Sequence, residues 1–446
     1  MQDDFLGGVV EGFYGPPWTR DERQKLCDLM ARLGFNTYFY APKDDLKHRA
    51  LWRELYDDSE LALLQVLVHA FQQRGLTFIY GLAPGLDIRF SERAEVRRIE
   101  ARFEQLQKVG VQHFALLFDD LPGQMSDEDR RAYPSLAAAH CEVTNAVFAW
   151  VREEFSAARF LFCPTPYCDQ MDRQQLGGAR YLDEVGRLLS PEIDVFWTGP
   201  EIISAEIPVE SIERLTRRIG RPPVLWDNLF ANDYDFHRLH CGPYSGRSLE
   251  LRDAVRGILV NPNNEYPINF IPLSTLAAFL KSTGEWNPRE AFLAATAEWL
   301  KSFETVSQPI SMEDLVLLAD CFYLPYSEGP EGAKLIEIVE KLFRSVAHSK
   351  VQDYEAFAIL DRRIQLLFSR LTELRDRELF HAWSRHGWGL KEGMQVINAL
   401  LKRRGIGAEE AAGSTSEVGF GGVHRVGLLS RMEQLMEMKA DHISST

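Results

Sequence analysis

No apolar run in this 446-residue chain approaches the roughly 20 residues that span a bilayer, so a membrane is not expected among its partners. Cysteine is scarce and scattered. Cys27, Cys141, Cys163, Cys168, Cys241 and Cys321 form no CxxC pair and no Cys/His spacing typical of zinc. Free, mostly buried thiols in a reducing compartment are therefore expected, with no metal and no cofactor. Positive charge is in the minority: 50 Lys and Arg face 65 Asp and Glu, a formal net charge of -15. Such a surface repels phosphate backbones, which argues against nucleic acid as a partner. The opening MQDDFLGG carries two acids and no basic n-region, so no signal peptide is read there and a cytoplasmic location is expected.

What is present is ordinary for a globular protein, with 45% hydrophobic and 26% charged residues, and the length suggests two or three domains. Eight short apolar runs punctuate the first two-thirds: GGVVEGF, NTYFYAP, TFIYGLAP, HFALLFDD, RFLFCPTPY, DVFWTG, PVLWDN and GILVNP. Most lack polar alternation, the signature of strands buried on both faces of a parallel sheet. Amphipathic stretches lie between them. Thr19–Leu33 opens with a threonine cap and an acid three residues on. Ser59–Arg74 and Ser91–Val109 share the same plan, and each stretch ends near a glycine (Gly34, Gly75, Gly110) suited to a left-handed position.

Eight strands alternating with helices predict an α/β fold, a (β/α)8 barrel over residues 1–287. A doubly wound sheet is the alternative, but no GxGxxG loop comes after the first strand. Residues 288–446 read as an all-α helical domain. It contains a Gly-rich loop near 405–422 and a final amphipathic helix, and it is expected either to support a homodimer or to shield one side of the barrel.

A barrel of this kind carries its chemistry at the C-terminal ends of the strands. The polar residues there are carboxylates, amides, one lysine and aromatics, with no histidine, which argues against a His-activated nucleophile or a zinc hydrolase. Carboxylates and amides fork onto vicinal hydroxyls and indoles pack on a sugar's apolar face. Paired acids suit glycosidic cleavage. Asp119 and Asp120, closing the fourth run, are the sharpest candidates. Neighbouring carboxylates raise each other's cost of ionisation, so one is more easily held protonated. Their bland alternative is a helix cap or a loop acid pair. Lys43 reads as a sugar-hydroxyl donor or an exposed loop lysine, and Asp44 and Asp45 as caps of the next helix. Trp226 is a pocket wall or core packing. Asn228 and Asn261 are ligands or turn asparagines, and Asp233 is a ligand or an Asx-turn. Tyr167 is a donor or a core residue, while Cys163 reads as packing.

The segments GVVEGFYGPPWT, NTYFYAPKDDLKHR, FALLFDD, FCPTPYC, WTGP, VLWDNLFANDYD and LVNPN, in that order from about Gly7 to about Thr283, resemble the catalytic domain of the O-GlcNAcase family, glycoside hydrolase family 84. The resemblance points to a bacterial homologue. It implies a retaining β-N-acetylglucosaminidase in which the substrate's own 2-acetamido oxygen attacks the anomeric carbon to give an oxazoline. Substrates would be GlcNAc-bearing glycoproteins, glycopeptides or small glycosides. It implies further that Asp119 orients the acetamido N–H and that Asp120 is the general acid and base. Gly12 would offer its carbonyl, and Lys43 its ammonium, to a sugar hydroxyl. Tyr167 would bond the acetamido oxygen, Trp226 would wall the methyl pocket and Asn228 would support the acid pair. Asp233 and Asn261 would hold O4 and O6. Pro166 and Leu121–Met125 depart from the family pattern and leave the leaving-group preference open. The competing readings are the same chemistry on a polymeric glycan and a non-catalytic sugar-binding barrel.

Overall fold

The computed structural model describes residues 4–344, 350–403 and 406. The Gly-rich loop and the final amphipathic helix read from the sequence lie outside the described residues. All eight apolar runs are strands: β1 (Leu6–Glu11), β2 (Thr37–Tyr40), β3 (Thr77–Leu82), β4 (His113–Leu117), β5 (Phe160–Cys163), β6 (Asp194–Trp197), β7 (Val224–Asp227) and β8 (Gly257–Val260). They pair in parallel in sequence order and close β8 onto β1, with Leu6 opposite Gly257 and Val9 opposite Val260. The strands are continuously apolar because both faces are buried: one face fills the barrel and the other lies under helices. Inside, Val10, Phe39, Ile79, Leu117, Leu161, Phe196, Val224 and Leu259 form one packed cluster. Each such side chain contributes about 1.5–3 kcal/mol by leaving water.

The first crossover helix, Arg20–Leu33, starts at a Thr19–Glu22 capping box and stops at Gly34 in the left-handed region. The second differs from expectation. Its cap is Asp57, which accepts the Ser59 and Glu60 N–H groups, so the helix runs Asp58–Gln73 and Ser59 lies inside it. Asp45 therefore caps no helix; it accepts the Tyr40 and Tyr56 hydroxyls at 3.0 and 2.7 Å. Nor is Ser91 a cap: the third helix begins at Arg93, and the Ser91 N–H donates to Asp129. Helices Leu136–Glu154, Tyr181–Leu188, Val209–Ile219 and Leu251–Ala254 complete the crossovers up to β8.

The chain divides into two compact units. The first comprises residues up to Tyr234 together with Tyr244–Asn264 and Leu276–Trp286. The second comprises Asp235–Pro243, Glu265–Thr275 and the described residues from Asn287 on. The second unit is helical, with Pro288–Trp299, Met312–Cys321, Pro330–Arg344, Lys350–Thr372 and Arg377–Arg403 around a core that includes Phe292, Trp299, Leu315 and Trp383. The last two of these, Lys350–Thr372 and Arg377–Arg403, are separate helices with a break between Thr372 and Arg377. All six cysteines are buried free thiols.

Candidate active site

The mouth of the barrel is built from the segments just past the strand ends. After β1 the chain keeps pairing with the end of β2, through Ala41 N–H to the Glu11 carbonyl and Lys43 N–H to the Phe13 carbonyl. This sets Lys43 beside Gly12 and Phe13. Gly12 must be glycine: a Cβ there would lie 2.1 Å from Cζ2 of Trp226, whose indole crosses the end of β1. Glu11, although at a strand end, is spoken for. It is fully buried and takes the Arg23 guanidinium at 2.6 and 2.9 Å, the Trp18 N–H and the Tyr38 hydroxyl. Its role is structural.

One cavity of about 280 Å3 opens at this mouth. Gly12, Lys43, Asp119, Asp120, Tyr167, Trp226, Asn228, Asp233 and Asn261 all line it. The volume lies just below the usual range of ligand pockets, roughly 300–1,000 Å3. Its wall is mixed. Phe196, Trp197 and Trp226 supply aromatic surface, while amides and carboxylates supply hydrogen-bonding groups.

Asp119 and Asp120 reach this cavity together because the backbone turns between them. Successive side chains of an extended strand point to opposite faces. Asp120 adopts φ 53°, one of two non-glycine residues with positive φ among the described residues, and the alternation breaks there. Aspartate tolerates this left-handed region better than most residues.

The two carboxylates sit in different surroundings. Asp119 is buried and bonded through Oδ2 to the Lys43 ammonium, while its Oδ1 is buried with no hydrogen-bond partner among the described residues. Burial pushes its pKa up, but the Lys43 and Arg49 charges and the Lys43 hydrogen bond outweigh that and leave it below the usual carboxylate range. These charges hold Asp119 ionised. Asp120 is exposed, and its two oxygens accept the hydroxyls of Tyr14 and Tyr167, both at 2.8 Å. Burial and the neighbouring Asp120 charge push both phenols well above the ordinary tyrosine range, so each remains a donor.

Around the pair, the Asn261 amide donates to Asn228 Oδ1 at 3.0 Å and the Asn228 amide to the Ile202 carbonyl at 2.9 Å, leaving Asn261 Oδ1 buried without a partner among the described residues. Asp233 accepts the Tyr14 N–H at 2.9 Å, and burial raises its pKa. Lys43 Nζ lies 5.5 Å from the Trp226 ring centroid. Cys163 lines the cavity with its thiol pKa pushed well up by burial, which makes it a poor nucleophile.

Tyr14, Trp197 and Thr198, which stand at strand ends in the sequence but were given no role from it, also line the cavity, as do Ile202 and Tyr234, which sequence reasoning passed over along with Arg49 behind it. The position of Tyr14, three residues past a strand end, was the signal available for it. Among the described residues no cluster of His, Cys, Asp and Glu is placed to hold a metal ion, and no helix is long and apolar enough to cross a membrane.

The family model described as beta-N-acetylglucosaminidase (NAGidase) matches residues 7–319. Protein O-GlcNAcase of Rattus norvegicus is 45% identical over 278 residues, as is that of Mus musculus; each match covers 62% of this chain but 30% of the relative. The chain thus corresponds to under a third of the length of these relatives. Among solved structures, a mutant O-GlcNAc hydrolase of Thermobaculum terrenum matches with a TM-score of 0.80 at 26% identity, over 99% of this chain and 89% of that one.

Proposed function

The chain belongs to the beta-N-acetylglucosaminidase family, and from that premise we propose that it removes terminal β-linked N-acetylglucosamine, with retention, by substrate-assisted catalysis. The observation that carries this reading is the asymmetry of the acid pair. Asp119 is ionised, buried and has an oxygen to spare; Asp120 is exposed and hydrogen-bonded by two phenols.

The acetamido N–H of the substrate donates to the spare oxygen of Asp119. The acetamido carbonyl oxygen attacks the anomeric carbon, the bond to the leaving oxygen breaks, and Asp120 gives that oxygen a proton. The positive charge on the resulting oxazolinium ring is stabilised by Asp119, which does not need to move. Water then attacks the anomeric carbon from the vacated side, Asp120 takes its proton, and the carbon–oxygen bond of the oxazoline returns its electrons to the amide. Two inversions give overall retention. The second carboxylate of an ordinary retaining enzyme is not needed as a nucleophile, which is why two adjacent residues suffice.

Lys43, Asp233, Asn261 and the Gly12 carbonyl surround the remaining hydroxyls in this reading. Tyr167 exchanges its Asp120 bond for one to the acetamido oxygen, and Trp226 covers the methyl group. Small N-acetylglucosaminides and GlcNAc-bearing peptides are the substrates in this reading. The test is Asp120→Asn on two substrates. An alkyl glycoside or glycopeptide should lose on the order of 100- to 10,000-fold, the range of general acid catalysis, and an activated aryl glycoside much less. Equal losses would remove the acid role from Asp120.

A further inference from the structure

We propose that Arg49 is a positioning residue for the acid pair: its guanidinium grips the backbone carbonyls of Asp119 and Asp120 and fixes the left-handed turn that sends both carboxylates into one cavity. The proposal rests on the reading of that pair as the reacting groups. Arg49 is buried, at 7% exposure, in the loop after β2. Nη2 donates to the Asp120 carbonyl at 3.2 Å and Nη1, more weakly, to the Asp119 carbonyl at 3.5 Å. A planar guanidinium presents these donors at fixed spacing, so it constrains two successive peptide units at once. Those units flank the φ 53° residue.

The segment carrying Arg49 is itself anchored. The Lys47 carbonyl accepts Arg102 Nη1 at 2.7 Å, and the His48 carbonyl accepts the Ala83 N–H at 2.9 Å. The His48 ring bonds the Gly81 carbonyl through Nδ1 at 2.8 Å, so Nδ1 carries the proton. Burial and the Lys43 charge push His48 down to about 4, which keeps that ring neutral and the anchor unchanged near neutral pH. The guanidinium thus reaches the pair from a segment tied to the end of β3, the neighbour of β4. Its charge also helps to hold Asp119 ionised. Nothing in this arrangement needs Arg49 to touch the sugar; it acts through the aspartates.

A positional error of about 1 Å in a reacting group costs on the order of 100-fold. Arg49→Ala should therefore lower kcat on a GlcNAc-bearing peptide by roughly 10- to 100-fold with KM little changed, and lose somewhat less on an activated aryl glycoside, because one of the two misplaced groups is the acid. Millimolar guanidinium chloride should restore part of the loss. Arg49→Lys keeps the charge but has one nitrogen for two carbonyls. It should stay impaired, and it carries the test if the alanine variant does not fold. Equal losses on both substrates, matched by a fall in Tm and with no guanidinium rescue, would overturn the proposal. A crystal structure of either variant decides the geometric half without any activity. Asp120 leaving the positive-φ region supports the role, and an unchanged backbone overturns it. If the unmodified chain cleaves neither substrate, the functional reading falls while that geometric result still stands.

Discussion

Two buried aspartates at the same barrel mouth are treated in opposite ways. Asp227, at the end of β7, is fully buried and saturated: Arg247 forks onto both oxygens at 2.8 and 2.9 Å, Tyr244 donates at 2.8 Å and the Leu229 N–H at 3.2 Å. Asp119, two residues beyond β4, has the Lys43 ammonium on one oxygen and no partner on the other among the described residues. A buried carboxylate oxygen left unmatched costs free energy. Asp227 and Glu11 are fully matched, whereas Asp119, which lines the cavity, keeps one buried oxygen unmatched among the described residues, the contrast expected if a ligand brings the missing donor. On the proposed reading, saturation goes with a carboxylate that holds the fold, and an open valence with one that meets the substrate.

The comparison can be broken at either end. The largest effect should come from Asp120→Asn, with a loss of about 100- to 10,000-fold on poor leaving groups and little change in Tm, because an exposed side chain is altered without emptying the core. Next comes Asp227→Ala, which strands the buried Arg247 charge. It should cost about 3–5 kcal/mol in urea unfolding, as removal of one partner of a buried pair does. Asp119→Ala also strands a buried cation, Lys43, so it too should cost stability in urea unfolding, but it should abolish activity in the protein that stays folded, which Asp227→Ala should not. If the two aspartates exchange these phenotypes, the contrast between them fails.

Gly12→Ala should have a smaller effect, roughly 1–3 kcal/mol of overpacking against the Trp226 indole, visible as a lower Tm and a raised KM. The gentlest probe is pH. The pKa of Asp119 is lowered on folding, so its ion pair contributes stability above the unfolded carboxylate pKa of about 3.9 and that contribution is lost as pH falls through the folded value. Activity that needs Asp119 ionised therefore has an acid limb below the ordinary carboxylate range from this group. Lys43→Met removes the main opposing charge and leaves burial to act, so the limb should move to higher pH in a kcat/KM profile.

Much of this was legible in the sequence, for identifiable reasons. Strands buried on both faces write themselves as unbroken apolar runs, so β1 to β8 could be read directly. Because a barrel gathers its chemistry at strand ends, the polar residues after each run brought Lys43, Asp119, Tyr167, Trp226 and Asn261 into view. The parts that stayed hidden act through the backbone or through ambiguity. Arg49 grips carbonyls, which every residue has, so no side-chain pattern announces it. The φ of Asp120 leaves no compositional mark. Glu11 resembles its neighbours in sequence, and only the fold brings Arg23, twelve residues on, against it. In DDSE the choice between Asp57 and Ser59 as helix cap turns on a geometry that either residue type can adopt.

The central claim is that the substrate's own amide supplies the attacking oxygen while Asp119 holds its N–H. The most direct measurement is the affinity of a thiazoline that mimics the oxazoline intermediate, set against free N-acetylglucosamine on the same protein. The account predicts binding at least about 100-fold tighter for the mimic, as for an analogue of the reacting state, with most of that advantage gone in Asp119→Ala. A mimic bound no better than the free sugar would contradict it.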